Sequence, residues 1–275
     1  MRRLLIRPGA IGDCILSLPV LQYLKADYTE VWISSPAVPL VQFADRVQSI
    51  ASTGLDLAGI DGIEVASPLR ERLQSFDSIV SWYGTNRPDF REALLRLGVP
   101  CEFHAALPPT EYAGHATDFF ARQVGAPDGL VSRIAVPATA PRGTIVMHPF
   151  SGGVRKNWPL CRFLELAAQL PCKVEWTAGP EETLPEHLRP VRFTNLLELA
   201  HWLSGASLYI GNDSGITHLA AATGIPTLAL FGETNPIVWA PRGPLVRVLN
   251  HTPIKDLRTE TVLAAVNRLR NELTG

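Results

Sequence analysis

From Ser207 to Phe231 the chain reads strand, glycine loop, helix, strand, a succession that commits it to parallel-sheet architecture. Ser207 to Ile210 is an apolar run, Gly211 to Gly215 is a polar glycine loop, and Ser214 is placed to cap the helix that follows. Pro226 to Phe231 is the second apolar run. Backbone N–H groups and the positive end of that helix converge at Asp213 to Gly215, where a phosphate or diphosphate would fit. The same spacing also describes an ordinary βαβ unit with a tight turn, so the loop alone leaves both readings open.

A second glycine loop, Arg7-Pro-Gly-Ala-Ile-Gly-Asp13, follows the apolar strand Leu4 to Ile6 and opens a helix expected from about Cys14 to Lys25. It matches neither the dinucleotide signature G-x-G-x-x-G nor the P-loop G-x-x-x-x-G-K-[ST], which argues against a dehydrogenase and an NTPase. Asp13 stands at a strand's carboxyl end, where open α/β sheets place ligand chemistry. A helix-capping role for the same carboxylate is the plainer alternative.

Strand-like runs at Glu30 to Ser34, Phe76 to Trp82, Thr144 to His148 and Lys173 to Trp176 alternate with helical stretches, which implies parallel sheets joined by crossover helices. The Pro-, Ala- and Gly-rich segment 136–143 separates two halves and reads as a linker. The expected domains are therefore 1–140 and 141–275. Asn195 with Glu198 marks a capped helix reaching Ser204, and a last helix over about 259–273 carries Val262, Val266, Leu269 and Leu273 on one stripe.

At 275 residues each half can bury a core. A hydrophobic content of 46% and a net charge of −1 argue against disorder and against a nucleic-acid surface. No apolar run approaches the roughly 18 residues of a membrane span, and the apolar stretch near Met1 is too short for a signal peptide. Cys14, Cys101, Cys161 and Cys172 lack C-x-x-C spacing and read as reduced, mostly buried thiols of a cytosolic protein, without a structural zinc.

Together with His148-Pro-Phe-Ser-Gly-Gly-Val-Arg-Lys-Asn-Trp-Pro159, the two loops resemble glycosyltransferase family 9, the heptosyltransferases, in order and spacing across nearly the whole chain. Gly12 and Asp13 match the family's amino-terminal Gly-Asp. His148, Pro149, Ser151, Lys156, Trp158 and Pro159 match His-Pro-Gly-Ser and Lys-x-Trp-Pro, with Phe150 in place of the usual glycine. Asp213, Ser214, Gly215, His218, Ala221 and Ala222 match Asp-[Ser/Thr]-Gly-x-x-His-x-x-Ala-Ala, and Phe231, Gly232 and Thr234 follow, with Glu233 where proline is common. The resemblance implies the GT-B architecture, two Rossmann-like domains with parallel sheets facing a central cleft, with the terminal helix packing back on the first domain. It implies an acceptor-side first domain holding Gly12 and Asp13, and a donor-binding second domain with Ser151, Gly152, Lys156, Glu182, Asp213, Ser214, Gly215 and His218.

The activity implied is transfer of a heptose, as ADP-heptose, to a lipopolysaccharide core or related glycan, inverting, with no metal or cofactor, on the cytoplasmic side and with possible peripheral contact to the inner membrane. In that reaction Asp13 is the general base, and Lys156 stabilises charge growing on the leaving diphosphate. Each role has a plainer alternative. Lys156 can be a solvated surface lysine and Asp213 can form an Asx-turn instead of ordering the loop and touching the donor. Glu182, matching a family position that meets the ribose, can be an exposed glutamate one register from Glu181. His218 can hydrogen-bond a neighbouring loop, and His148 is expected to order its own. Two other classes stay open: a nucleotide-sugar epimerase or hydrolase, and a non-catalytic nucleotide-binding protein.

Overall fold

The computed structural model describes residues 1–61 and 64–274. The chain divides into two compact units: the first comprises Met1–Tyr112 and Ala116–Leu130, and the second takes Ala113–His115 and the chain from Val131 onward.

In the first unit β1 (Arg2–Arg7), β2 (Tyr28–Ile33), β3 (Arg46–Ser49), β4 (Ser78–Ser81) and β5 (Cys101–Phe103) alternate with α1 (Ile11–Tyr23), α2 (Ser67–Gln74), α3 (Pro88–Arg96) and α4 (Ala116–Gln123). The strands form one parallel sheet in the order β3-β2-β1-β4-β5. Leu4, Ile6, Trp32, Leu73, Ile79, Phe90 and Leu94 are its buried core.

The second unit contains β6 (Ile145–His148), β7 (Val174–Trp176), β8 (Leu208–Asn212), β9 (Thr227–Phe231) and β10 (Val246–Asn250), with α5 (Leu160–Gln169), α6 (Leu196–Ser204), α7 (Gly215–Ala222), α8 (Pro236–Trp239) and α9 (Thr259–Thr274). Its parallel sheet runs β10-β9-β8-β6-β7. Every residue of β8 and β9 is buried, because helices cover both faces of a parallel sheet and leave no polar side to alternate with. Gly224, at φ +86 with open space where a Cβ would stand, turns the chain from α7 into β9.

The stripe Val262, Val266 and Leu269 of α9, expected on the first domain, is buried in the second unit's own core, and α9 packs on α5. Segment 136–143, expected as a linker, runs along the second unit. Ile134 N–H donates to Ala222 O just ahead of it, Arg142 N–H donates to Gly205 O, and the Arg142 guanidinium pairs with Glu175 at 3.0 Å. The boundary accordingly falls at Val131, ahead of the expected residue 141. Cys14 is buried, Cys101 and Cys172 are half-buried and Cys161 is exposed; all four are free thiols.

Strand order fixes where chemistry can sit. The first sheet winds from β1 outward through β2 and β3, then resumes on the other side at β4. The second winds from β6 to β7, then resumes on the other side at β8. Ligands of open α/β sheets bind outside the carboxyl ends of strands at this change of direction. In the second unit that is the space beyond His148 and Asn212.

Candidate active site

The loop leaving β6 and the loop leaving β8 are joined by two bonds. Lys156 Nζ donates to Asp213 Oδ2 at 2.8 Å, and Trp158 N–H donates to Asn212 Oδ1 at 3.0 Å. Trp158 is fully buried, packs edge-on against Phe163 and donates its indole N–H to Leu257 O at 2.8 Å. A bulky anchored indole next to the lysine explains the Lys-Asn-Trp-Pro spacing: the tryptophan fixes the strand-to-helix turn, and Lys156 is held two residues ahead of it. Lys156 is 42% exposed while Asp213 is 8% exposed, so the ammonium retains donors toward solvent although the carboxylate is nearly enclosed.

The glycine loop behaves as a capped helix start, with one departure from expectation. Ser214 caps α7, its side chain accepting from Thr217 N–H. Asp213 N–H donates to Leu230 O in the sheet, so it does not join the convergent donors. The N–H groups of Ser214, Gly215 and Ile216 have no partner among the described residues, and these residues are half-exposed. With the dipole of α7 behind them, these donors are chemically suited to an anion beside the Lys156 ammonium.

His218 lies one turn into α7 and is 5% exposed. Burial pushes its imidazole down to about 4, helped by the nearby His115 and Lys156 charges and opposed by Asp213. It is neutral at pH 7. His115, which sequence reasoning passed over, is buried in the same unit and bonds Ala240 O through Nε2 at 2.8 Å.

Ser151 does not point out of its loop. Its hydroxyl lies 2.6 Å from Asn157 Oδ1 and accepts from Gly153 N–H, holding the turn that presents Lys156; Gly152 beside it is exposed. Glu182, after β7, is 29% exposed, and its Oε2 accepts from His148 Nε2 at 3.0 Å and from Gly179 N–H. Burial alone would raise the Glu182 carboxyl, but the hydrogen bond and charge of His148, with the Gly179 N–H, outweigh it and hold the carboxyl below its ordinary range. Glu181, the neighbouring alternative, is exposed and makes no such bond. His148 therefore does more than order its own loop. Its partnership with Glu182 was invisible in the sequence because it depends on β6 and β7 being neighbours. His148 Nδ1, Asn212 Nδ2 and His218 Nδ1 are buried without a hydrogen-bond partner among the described residues, so polar atoms gather at this edge of the sheet.

In the first unit, α1 begins at Ile11, earlier than expected, which places Asp13 in its first turn. Asp13 Oδ2 accepts from Ala10 N–H at 3.2 Å, the capping role the sequence allowed, and the residue is half-exposed. Gly12 precedes it on α1 and is also half-exposed. Gly9 sits at φ +129, where a Cβ would come within 3.0 Å of the Asp13 Cβ; a side chain there would displace the carboxylate. Beneath the loop the fully buried Arg7 guanidinium bonds Ser17 Oγ, Ala106 O and Asp13 O, and stacks 4.4 Å over Phe120.

The family model for glycosyltransferase family 9 (heptosyltransferase) matches residues 121–265, more than half of the chain. The chain belongs to glycosyltransferase family 9. Among its relatives, lipopolysaccharide heptosyltransferase 1 of Pseudomonas aeruginosa is 36% identical over 96 residues, which is 30% of this chain and 27% of that protein. The chain thus spans about a quarter of that relative's length in the matched stretch. The solved structure of Escherichia coli ADP-heptose heptosyltransferase II superposes over 100% of both chains with a TM-score of 0.74 at 17% identity. A dodecameric iron-containing heptosyltransferase, TibC, solved with ADP-D-β-D-heptose, covers 99% of this chain and 76% of its own with a TM-score of 0.62 at 16% identity. These likenesses establish the α/β fold of two Rossmann-like units that family 9 shares with other GT-B proteins. The family match covers the whole Lys156–Asp213 site, whereas Asp13 lies outside it.

Proposed function

We propose that this family 9 protein transfers a heptose from ADP-heptose to a lipopolysaccharide core or related glycan acceptor, with inversion and without a metal. The observation that carries this reading is the pairing of Lys156 with Asp213 beside the capped start of α7, at the change of winding direction in the second sheet. That arrangement suits a diphosphate leaving group. As the anomeric C–O bond breaks, negative charge grows on the diphosphate, and the ammonium with the N–H groups of Ser214, Gly215 and Ile216 stabilises it. The acceptor hydroxyl attacks the anomeric carbon from the opposite face and gives its proton to Asp13. A direct displacement of this kind inverts configuration.

Glu182 follows the second strand of its sheet, where Rossmann-type folds place the carboxylate that meets a ribose hydroxyl. The adenine and heptose of this reading are those of the ligands bound in similar structures, among them ADP-D-β-D-heptose in TibC. We place the activity on the cytoplasmic side, with a lipid-linked acceptor reached by peripheral contact with the inner membrane. No described helix is long and apolar enough to cross a membrane.

The first experiment is a comparison of melting temperature with ADP, UDP, GDP and CDP, since a ligand of the native state must raise it. A shift confined to ADP supports the donor and leads to turnover assays with ADP-heptose. No shift with any nucleoside diphosphate would remove the site built on Lys156 and Asp213. Because TibC is described as iron-containing, turnover is then measured with and without a chelator, and an unchanged rate is expected. One observation favours a second reading: Asp13 already serves as a helix cap, as it would in a non-catalytic nucleotide-binding protein. Tight ADP binding without turnover on any acceptor extract would decide for it.

A further inference from the structure

We propose that His148 is a positioning residue that sets the Glu182 carboxylate to receive a ribose hydroxyl through a single oxygen, Oε1. The inference rests on the reading of the second unit as a nucleoside diphosphate site, and it assigns work to a histidine that no step of the transfer uses.

His148 ends β6, is 3% exposed, and reaches across to the loop after the adjacent strand β7. Its Nε2 lies 3.0 Å from Glu182 Oε2. Gly179 N–H donates to the same oxygen, so Oε2 has both of its in-plane positions filled. Oε1 has no hydrogen-bond partner among the described residues, and Glu182 is partly open to solvent. The carboxylate thus has one end locked and one end presented. Arg192 steadies the turn from outside, donating to Gly179 O and to Glu182 O.

The protonation pattern follows from the donors. An ionised Glu182 can only accept, so His148 Nε2 carries a proton and donates it to Oε2. A glutamate free in solution must lose side-chain freedom when it binds; here His148 and Gly179 have already fixed the rotamer, so less is lost on contact with the ligand.

The test measures affinities of the full chain for ADP, 2′-deoxy-ADP, 3′-deoxy-ADP and inorganic pyrophosphate by titration calorimetry. The native protein is expected to bind ADP about tenfold tighter than at least one deoxy analogue, the effect of one hydrogen bond to a charged acceptor. His148→Ala is expected to bring ADP down to the level of that analogue while leaving the analogue and pyrophosphate unchanged. His148→Gln, whose amide can donate from nearly the same place, is expected to restore most of the preference. Glu182→Gln supplies an independent loss of preference if the alanine variant does not fold. Equal weakening of all four ligands in His148→Ala would show a merely structural histidine and overturn the proposal. So would a native protein that binds ADP and its deoxy analogues alike. A native protein that binds none of the nucleoside diphosphates would instead overturn the underlying nucleotide reading, and the proposal with it.

Discussion

Lys156 Nζ stands 2.8 Å from Asp213 Oδ2, joining two loops that are far apart in sequence but leave adjacent strands of one sheet. The pair holds the ammonium at the start of α7 before any ligand arrives. Because the lysine is partly exposed and the aspartate enclosed, the pair is asymmetric: loss of the lysine strands a carboxylate, whereas loss of the aspartate releases a cation to solvent.

Lys156→Ala is therefore expected to act twice. ADP affinity should fall about 10- to 100-fold, the range for hydrogen bonds to charged groups, and stability should fall by about 1–2 kcal/mol from the uncompensated Asp213. Calorimetry with ADP and urea unfolding read the two effects separately. Unchanged ADP affinity in a folded variant would remove Lys156 from the site.

Asp13 carries both a cap and a proposed base, and two substitutions separate them. Asp13→Asn keeps an oxygen to accept from Ala10 N–H, so its melting temperature should stay near the native one while transfer slows at least 100-fold. Asp13→Ala should lose the same activity and also about 0.5–2 kcal/mol of stability from the missing cap. Full transfer rate in Asp13→Asn would leave the carboxylate as a cap only.

Trp158 anchors the turn that presents Lys156. Trp158→Phe keeps most of the apolar volume but leaves Leu257 O without its buried donor, an expected cost of about 1–3 kcal/mol in urea unfolding. Trp158→Ala adds a cavity and should cost about 3–5 kcal/mol. Both should weaken ADP binding, and a tight-binding Trp158→Ala would mean that the turn is held elsewhere.

His218 gives the protein an acid-sensitive element. Its folded value, about 4, lies below the ordinary 6.5, so the unfolded chain takes up the proton first. The stability that neutral His218 contributes is fully present above about pH 6.5 and is lost as pH falls from there through about 4. Melting temperature against pH should decline less steeply across that window in His218→Asn than in the native protein. Parallel curves would show that this imidazole is not what titrates.

Much of this was legible in the sequence, and what was not has identifiable causes. Strands β6, β8 and β9 were read within a residue or two because burial on both faces makes them continuous apolar runs. Three strands escaped notice, β3, β5 and β10. All are sheet edges, short or half-exposed, and they carry Arg46, Glu102 and Arg247, charges that protect an open edge but mask the strand pattern. The Asn195 cap was read correctly, since a cap is a local bond: its side chain accepts from Leu197 N–H. The bond between His148 and Glu182 and the enlistment of Asp213 N–H in the sheet were not readable, because both depend on which strands become neighbours. For the same reason the motif named Lys156 and Asp213 as separate residues and gave no sign that they form a pair.

The glycine between α7 and β9 bears on how such a chain can change. Gly224 lies at the amino edge of the second sheet, away from the edge that carries Lys156, Glu182 and Ser214, and nothing crowds it. Lengthening the chain there adds surface loop without disturbing the strand ends that carry the candidate site. A reporter spliced into that turn is therefore expected to leave ADP affinity intact.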